Sequence, residues 1–189
     1  MTSFYSRDEL LQLGFSRVGE DVLVSRKASI YGAECISLGT HVRIDDFCVL
    51  SGHISIGDYV HIATATLLFG GAAGIEIHDF ANLSSRIAVY AVSDDYSGEY
   101  MTNPMIPEKY KNTVEQKVVI EKHVIIASGS TILPGTILGE GCAIGAMSLV
   151  KKNVEPWIMV AGIPAKYIKA RSRRILDLET RFMQEACSD

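Results

Sequence analysis

The chain has 189 residues, 48% of them apolar and 21% charged, with a formal net charge of −4. That composition suits one globular domain with a real core and short appendages. The mild acidic balance implies no general affinity for nucleic acid, no apolar run approaches the ~20 residues of a membrane span, and the charged start MTSFYSRDELL does not read as a secretory signal.

In chain order, the first predicted element is a short helix. SRDELLQLG places Ser6 and Glu9 at capping-box spacing and ends on Gly14, so residues 1–16 read as a helical cap. A different rhythm then begins. An aliphatic side chain recurs every six positions, at Val18, Val24 and Ile30, and after a two-residue slip at Leu38, Ile44, Leu50, Ile56, Ile62 and Leu68. LLFGGAAG, residues 67–74, inserts three residues before the series resumes at Ile77, Leu83 and Val89. Residues 94–119 interrupt it, and Ile120, Ile126, Ile132, Leu138, Ile144 and Val150 complete it. Four places after most of these stands a small or β-branched residue, such as Val42, Cys48, Thr66, Ser130 or Cys142. Gly, Asn and Asp, which tolerate tight turns, are frequent in between.

A period of six fits neither a helix, which needs three and four, nor an isolated strand, which needs two. It fits a short strand plus a turn, three to a triangular coil, with coils stacked as parallel strands about 4.8 Å apart. The eighteen aliphatic positions make six coils, a solenoid roughly 29 Å long with aliphatic residues along its axis. The predicted fold class is therefore all-β: a parallel β-helix of about six coils over residues 17–155, carrying a long loop at 94–119. Residues 156–189 form a C-terminal extension. It opens on EPWIMVAGIPAKYIKAR, broken by Pro156 and Pro164, and ends in SRRILDLETRFMQEA, where Ile175, Leu178 and Phe182 fall on one helical stripe.

The four cysteines, at 35, 48, 142 and 187, show no CxxC or metal-ligand spacing and read as reduced thiols of a cytoplasmic protein. No two of His41, His53, His61, His78 and His123 are spaced as evident co-ligands, so no metal is expected. The carboxylates of the interruption carry more information. AVYAVSDDYSGEYMTNP, residues 88–104, displays Asp94, Asp95 and Glu99 but no histidine. An aspartate has a reference pKa of ~3.9 and an α-amino group ~8. A hydroxyl near ~16 is mismatched with Asp by roughly 12 units, an amine by only about 4. A carboxylate can hold an incoming ammonium and accept a proton once nitrogen has attacked an acyl group. Asp94, with Asp95 and Glu99 nearby, therefore suits an amine acceptor.

The hexads, together with SDDYSGEYMTNP, RIDDFC and KHVIIASGS, resemble the hexapeptide-repeat acyltransferases over roughly residues 18–169. Within that group they look most like nucleotide-linked amino-sugar N-acyltransferases of the viosamine and anthrose type. The resemblance implies a left-handed coil, a homotrimer with active sites between prisms, and acetyl-CoA or another short acyl-CoA as co-substrate with no metal. It also implies an acceptor such as dTDP-4-amino-4,6-dideoxyglucose, used in surface-polysaccharide (O-antigen) synthesis. Many acetyltransferases of the family carry a catalytic histidine in a motif like I-Y-T-A-x-H-P. Aligned with Val89-Tyr90-Ala91-Val92-Ser93, that motif puts Asp94 in the histidine's place.

By the same resemblance Asp94 is the base or ammonium anchor, and Ser84, Glu99 and His123 lie near the amino sugar. Ser128 and Ala146 would touch the pantetheine arm, although Met147 stands where the family has glycine. Lys151, Lys152 and Lys166, with Arg171, would meet the phosphates of CoA. The LLFGGAAG insertion is expected to bulge outward and admit the acceptor. The alternative reading is a sugar O-acetyltransferase of the galactoside or maltose acetyltransferase type, with His123 as its base.

Overall fold

The computed structural model describes residues 3–186. Its centre is a three-faced parallel β-helix whose register follows the six-residue period. On the first face Val18, Leu38, Ile56, Ile77, Ile120 and Leu138 stand directly above one another. Val24, Ile44, Ile62, Leu83, Ile126 and Ile144 do the same on the second face, and Ile30, Leu50, Leu68, Val89, Ile132 and Val150 on the third. From Leu38 to Val150 every one of these side chains is at most 3% exposed. Each such burial contributes about 1.5–3 kcal/mol.

Most positions four places on are buried as well, among them Val42, Cys48, Thr66, Ser130 and Ser148, and the hydroxyls there are satisfied locally. Thr66 Oγ1 donates to the Ser84 carbonyl (3.0 Å) and Ser148 Oγ to that of Gly145 (2.6 Å). Burial raises the Cys48 thiol and pushes that of Cys142 up to about 12, which keeps both protonated and inert. Cys35 is also a free thiol, and Cys187 lies outside the described residues.

The three edges between the faces differ. The edge from second to third face, here the serine edge, carries Ser84, Ser85, Ser128 and Ala146 in regular turns. The edge from third to first face, the loop edge, holds the irregularities. Val49–Ile56 and Leu67–Ile77 each run round it as one unbroken strand, and the register leaves residues 72–74 of the longer strand without partners. LLFGGAAG is thus a bulge within a continuous strand rather than a break between coils. The long loop leaves this edge too. It is pinched at its neck by Val92–Ser93 pairing antiparallel with Val114–Glu115, so the excursion spans 91–117, slightly earlier than the 94–119 expected.

The edge from first to second face, the helix edge, carries a ladder of rings. His41, Tyr59, Phe80 and His123 occupy the same left-handed turn position, with φ of 56–59°, and stack with centroids 4.7, 5.0 and 5.2 Å apart. A non-glycine residue there costs about 1–2 kcal/mol of backbone strain, which ring stacking of about 0.5–1.5 kcal/mol per pair largely offsets.

Both ends of the prism are covered. Helix α1 (Arg7–Gln12), with the expected Ser6–Glu9 capping box, plants the buried Leu10 against the first coil. At the other end Ile158–Ala161 extends the second face beyond residue 155, then pairs antiparallel with Lys166–Ala170 across a cis Ile163–Pro164 bond. That hairpin covers strand groups that would otherwise be an open edge. Helix α2 (Ile175–Ala186) returns along the helix edge, where Phe182 meets Tyr59 and Phe80 edge-on.

Close stacking makes one testable demand. A Cβ on Gly39 would lie 2.4 Å from the Gly57 carbonyl of the next coil, a backbone atom that cannot turn aside. Gly39→Ala should cost about 1–3 kcal/mol in urea unfolding, and an unchanged midpoint would show that the coils are not in this register.

Candidate active site

Asp94 follows directly on the loop's neck. Its side chain is exposed and no side-chain partner engages its carboxylate among the described residues. Its neighbour behaves differently. Asp95 accepts from the Ser97 hydroxyl (2.5 Å), the Ser97 amide (2.8 Å) and Asn112 Nδ2 (3.3 Å), and the Ser97 hydroxyl above all holds its pKa below the ordinary range. Asp95 therefore knots the loop, and the Asp94 carboxylate takes no part in the knot.

Asp94 lines a depression of about 300 Å³ with Gln116, Pro134 and Lys151. Lys151 stands at the same edge two coils further on, about 10 Å along the prism axis. It also borders a second depression of about 360 Å³, between the last coil and the C-terminal hairpin, beside Lys152 and Tyr167. Lys166 is exposed on that hairpin. Glu99 lies further out on the loop, exposed, and does not line the Asp94 depression.

Ser84, Ser128 and Ala146 share the serine edge instead. Ser84 is half-buried, and its amide donates to the Ile126 carbonyl. Beside it the Ser85 and Ser128 hydroxyls are 3.2 Å apart, and the exposed Ala146 follows one coil below. Met147 packs its sulfur over Gly129 on this edge. One chain thus presents Asp94 and Lys151 on one edge and the serine column on another.

His123 corrects the sequence reading. It is expected to point outward near the sugar, but its side chain is only 2% exposed and sits beneath α2, on the third edge. Its ring stacks on Phe80 and its Nε2 lies 2.7 Å from Glu179 Oε2. The reason is the aromatic ladder: the turn position that places a ring on Phe80 turns it under the helix. Neither a sugar contact nor the base of an O-acetyltransferase is available from a ring so enclosed. Arg171 has a structural part: its Nη1 donates to the carbonyls of Gly141 (2.6 Å) and Cys142 (3.1 Å), which anchors the C-terminal segment.

The sequence carries one signal of this ladder: rings recur at the fourth place of one hexad per coil, at 41, 59, 80 and 123. Among the described residues no three His, Cys, Asp or Glu side chains are grouped to hold a metal, and no helix is long and apolar enough to cross a membrane.

Comparison with known proteins decides the family. Residues 117–152 match the model described as "Bacterial transferase hexapeptide (six repeats)". A dTDP-4-amino-4,6-dideoxy-D-glucose acyltransferase of Escherichia coli is 48% identical over 96% of this chain and 95% of its own length. The chain belongs to the hexapeptide-repeat acyltransferases. A putative lipopolysaccharide biosynthesis O-acetyl transferase of Escherichia coli K12, WbbJ, is 29% identical over 92% of this acyltransferase and 94% of its own length. Crystal structures of AntD, an N-acyltransferase from Bacillus cereus, match at 52% identity and a TM-score of 0.96, covering 98% of this chain. One is an S84A variant with dTDP-4-amino-4,6-dideoxyglucose and coenzyme A, covered over 100% of its chain, and another holds dTDP and 3-hydroxybutyryl-CoA, covered over 99%. D94A and D94N variants of AntD were also solved, with dTDP and coenzyme A.

The enclosed His123 of this acyltransferase generates a pH prediction. Burial works against the Glu179 charge, but hydrogen bonds from Lys122 (2.5 Å) and His123 outweigh it and hold its pKa below the usual 4.5. The stability this carboxylate contributes is complete above the unfolded value and is lost as pH falls through the lowered one. The parent should lose more melting temperature between about pH 5 and about pH 3 than Glu179→Gln does. Equal losses would show that the carboxylate does not hold α2.

Proposed function

We propose that this chain is a CoA-dependent N-acyltransferase that transfers an acetyl or short acyl group to the amine of a nucleotide-linked sugar. The acceptor is of the dTDP-4-amino-4,6-dideoxyglucose class and the setting is surface-polysaccharide synthesis in the cytoplasm. The observation that carries the reading is Asp94: a carboxylate with no side-chain partner among the described residues, beside a depression, at the position where related acetyltransferases carry a histidine base. AntD, solved with its Asp94 and its Ser84 replaced, supports it, since the same residue types stand at 94 and 84 here.

The chemistry follows from the groups present. Asp94 holds the ammonium of the acceptor by charge and hydrogen bond. After the ammonium gives one proton to solvent, the neutral amine nitrogen attacks the thioester carbon and a C–N bond forms. The tetrahedral intermediate collapses with loss of the C–S bond. The proton shed by nitrogen passes to Asp94, and CoA leaves as the thiolate, to be protonated from the carboxyl or from water. No covalent enzyme intermediate is needed.

The two halves of the proposed site lie on different edges of one prism, Asp94 on the loop edge and Ser84, Ser128 and Ala146 on the serine edge. In a homotrimer the loop edge of one prism would meet the serine edge of its neighbour and complete three shared sites, and the division of the proposed site between two edges is what supports that assembly. The pantetheine arm then lies along Ser128 and Ala146, where small side chains permit close approach, and Lys151, Lys152 and Lys166 meet its phosphates as point charges.

Asp94→Asn keeps the shape but removes the charge. It should lower turnover about 10²–10⁴-fold with melting temperature unchanged, and near-parental rates would remove Asp94 from the chemistry. In a mass-spectrometric panel with acetyl-CoA, dTDP-linked amines should gain an acyl group and the matching hydroxyl sugars should not. Acylation of the hydroxyl sugars alone would overturn the N-acyl reading.

A further inference from the structure

We propose that the C-terminal end of the prism docks on an anionic lipid surface, with the hairpin and the segment that follows it as the contact. This goes beyond acyl transfer and uses none of the groups proposed for it.

Charge is divided unequally along the chain. Residues 151–174 hold seven of the eighteen Lys and Arg but only one of the twenty-two Asp and Glu, Glu155. That segment therefore carries a formal +6 and the rest of the chain −10, within a net charge of −4. The fold preserves the division, because the segment forms the last layer of the solenoid. Ile158–Ala161 extends the second face, and Lys166–Ala170 is the outermost strand of that sheet. Helix α2 then runs back along the helix edge, with Glu179 on Lys122 and Phe182 on Tyr59, and carries its acidic residues away from the end.

Part of this charge is taken up elsewhere. Lys151, Lys152 and Lys166 belong to the proposed donor site, Tyr167 lines the depression beside Lys151 and Lys152, and Arg171 bonds backbone carbonyls. Lys169, Arg173 and Arg174 remain. All three are exposed, and none pairs with a carboxylate among the described residues. Apolar groups stand among them. Ile168, at the irregularity opposite Met159 and Val160, is 53% exposed, and Ile163, at the turn of the hairpin, is 73% exposed.

A lysine on an edge strand guards it against pairing with another chain. That accounts for Lys169, but not for two arginines beyond the strand or for two exposed isoleucines. Cations with apolar side chains between them match the boundary of an anionic bilayer, where the cations meet headgroups and the isoleucines enter the layer beneath. Nucleic acid fits less well. Binding a single strand calls for rings on which bases stack, and Trp157 is only 5% exposed, with Arg173 over it. In a homotrimer of parallel prisms the three ends would face one way, and three weak contacts would act together.

The test is co-sedimentation of the full chain with vesicles of phosphatidylcholine alone and of phosphatidylcholine with about a third phosphatidylglycerol. Binding should be roughly tenfold or more stronger to the anionic vesicles. It should fall in about 1 M salt, where the screening length is about 3 Å. Lys169→Glu combined with Arg174→Glu should weaken it by roughly tenfold or more, and Ile168→Ser by about threefold. Both variants should keep the parental melting temperature and bind CoA within about twofold of the parent. Arg17→Glu, a reversal in the first coil at the opposite end, should leave vesicle binding nearly unchanged. A parent that ignores anionic vesicles overturns the proposal, as does unchanged binding by either C-terminal variant or an equal loss with Arg17→Glu. Loss of binding in saturating CoA would put the lipid in the donor's phosphate site, and release by an equimolar single-stranded oligonucleotide would mark a general polyanion site. Either of those results overturns it too.

Discussion

Everything in this molecule depends on the vertical register of its coils. Each aliphatic side chain of the axis sits on its counterpart one coil away, and the backbone amides of each coil bond the carbonyls of the next. A slip of one residue would turn the axis residues outward on every face. Because the ladder is uniform, its cost and benefit are shared by all coils, and interruptions can be tolerated only where they leave the register intact. The three extra residues of the bulge and the excursion at 91–117 do so: Leu68 still pairs with Val89, and Ile77 with Ile120, each in the next coil.

Concentration of the irregularities on one edge is what gives a repetitive solid a place for chemistry. Two edges are stacks of similar turns, one faced with small serine and alanine residues and the other with rings. The loop edge alone departs from the pattern repeatedly, and it carries His53, Lys117, Asp94 and Lys151. A rigid prism beneath a loop pinched by a hairpin and knotted by Asp95 positions these groups without needing each to be buried. Three separate depressions border this edge, one beside the bulge, one beside Asp94 and one at the last coil.

The helix edge has a structural task. Rings at the left-handed turn positions stack on one another, and α2 lies across them with Phe182 against two rings and Glu179 on Lys122 and His123. His123 illustrates how residue type misleads. A histidine in an acyltransferase invites a catalytic role, yet here the ring is one step of a stack and its exposed-looking turn position is covered by a helix 52 residues further on, starting at Ile175.

The amino-acid sequence by itself determined the coil period, the approximate count of coils, the axis residues from Val18 to Val150, the capped first helix and the stripe of the last one. It also singled out Asp94, because a missing histidine is visible in a linear motif. These are legible because strand–turn periodicity and proton affinity are local properties of residues. Only the tertiary structure decided which residues share an edge. Residues 53 and 117 line one depression and 94 and 151 another, and no linear spacing across the long excursion records either pairing. The burial of His123, the anchoring by Arg171 and the hairpin closing the last coil were hidden for the same reason. Each arises from a contact made after the chain has turned back on itself, and such contacts leave no period to read.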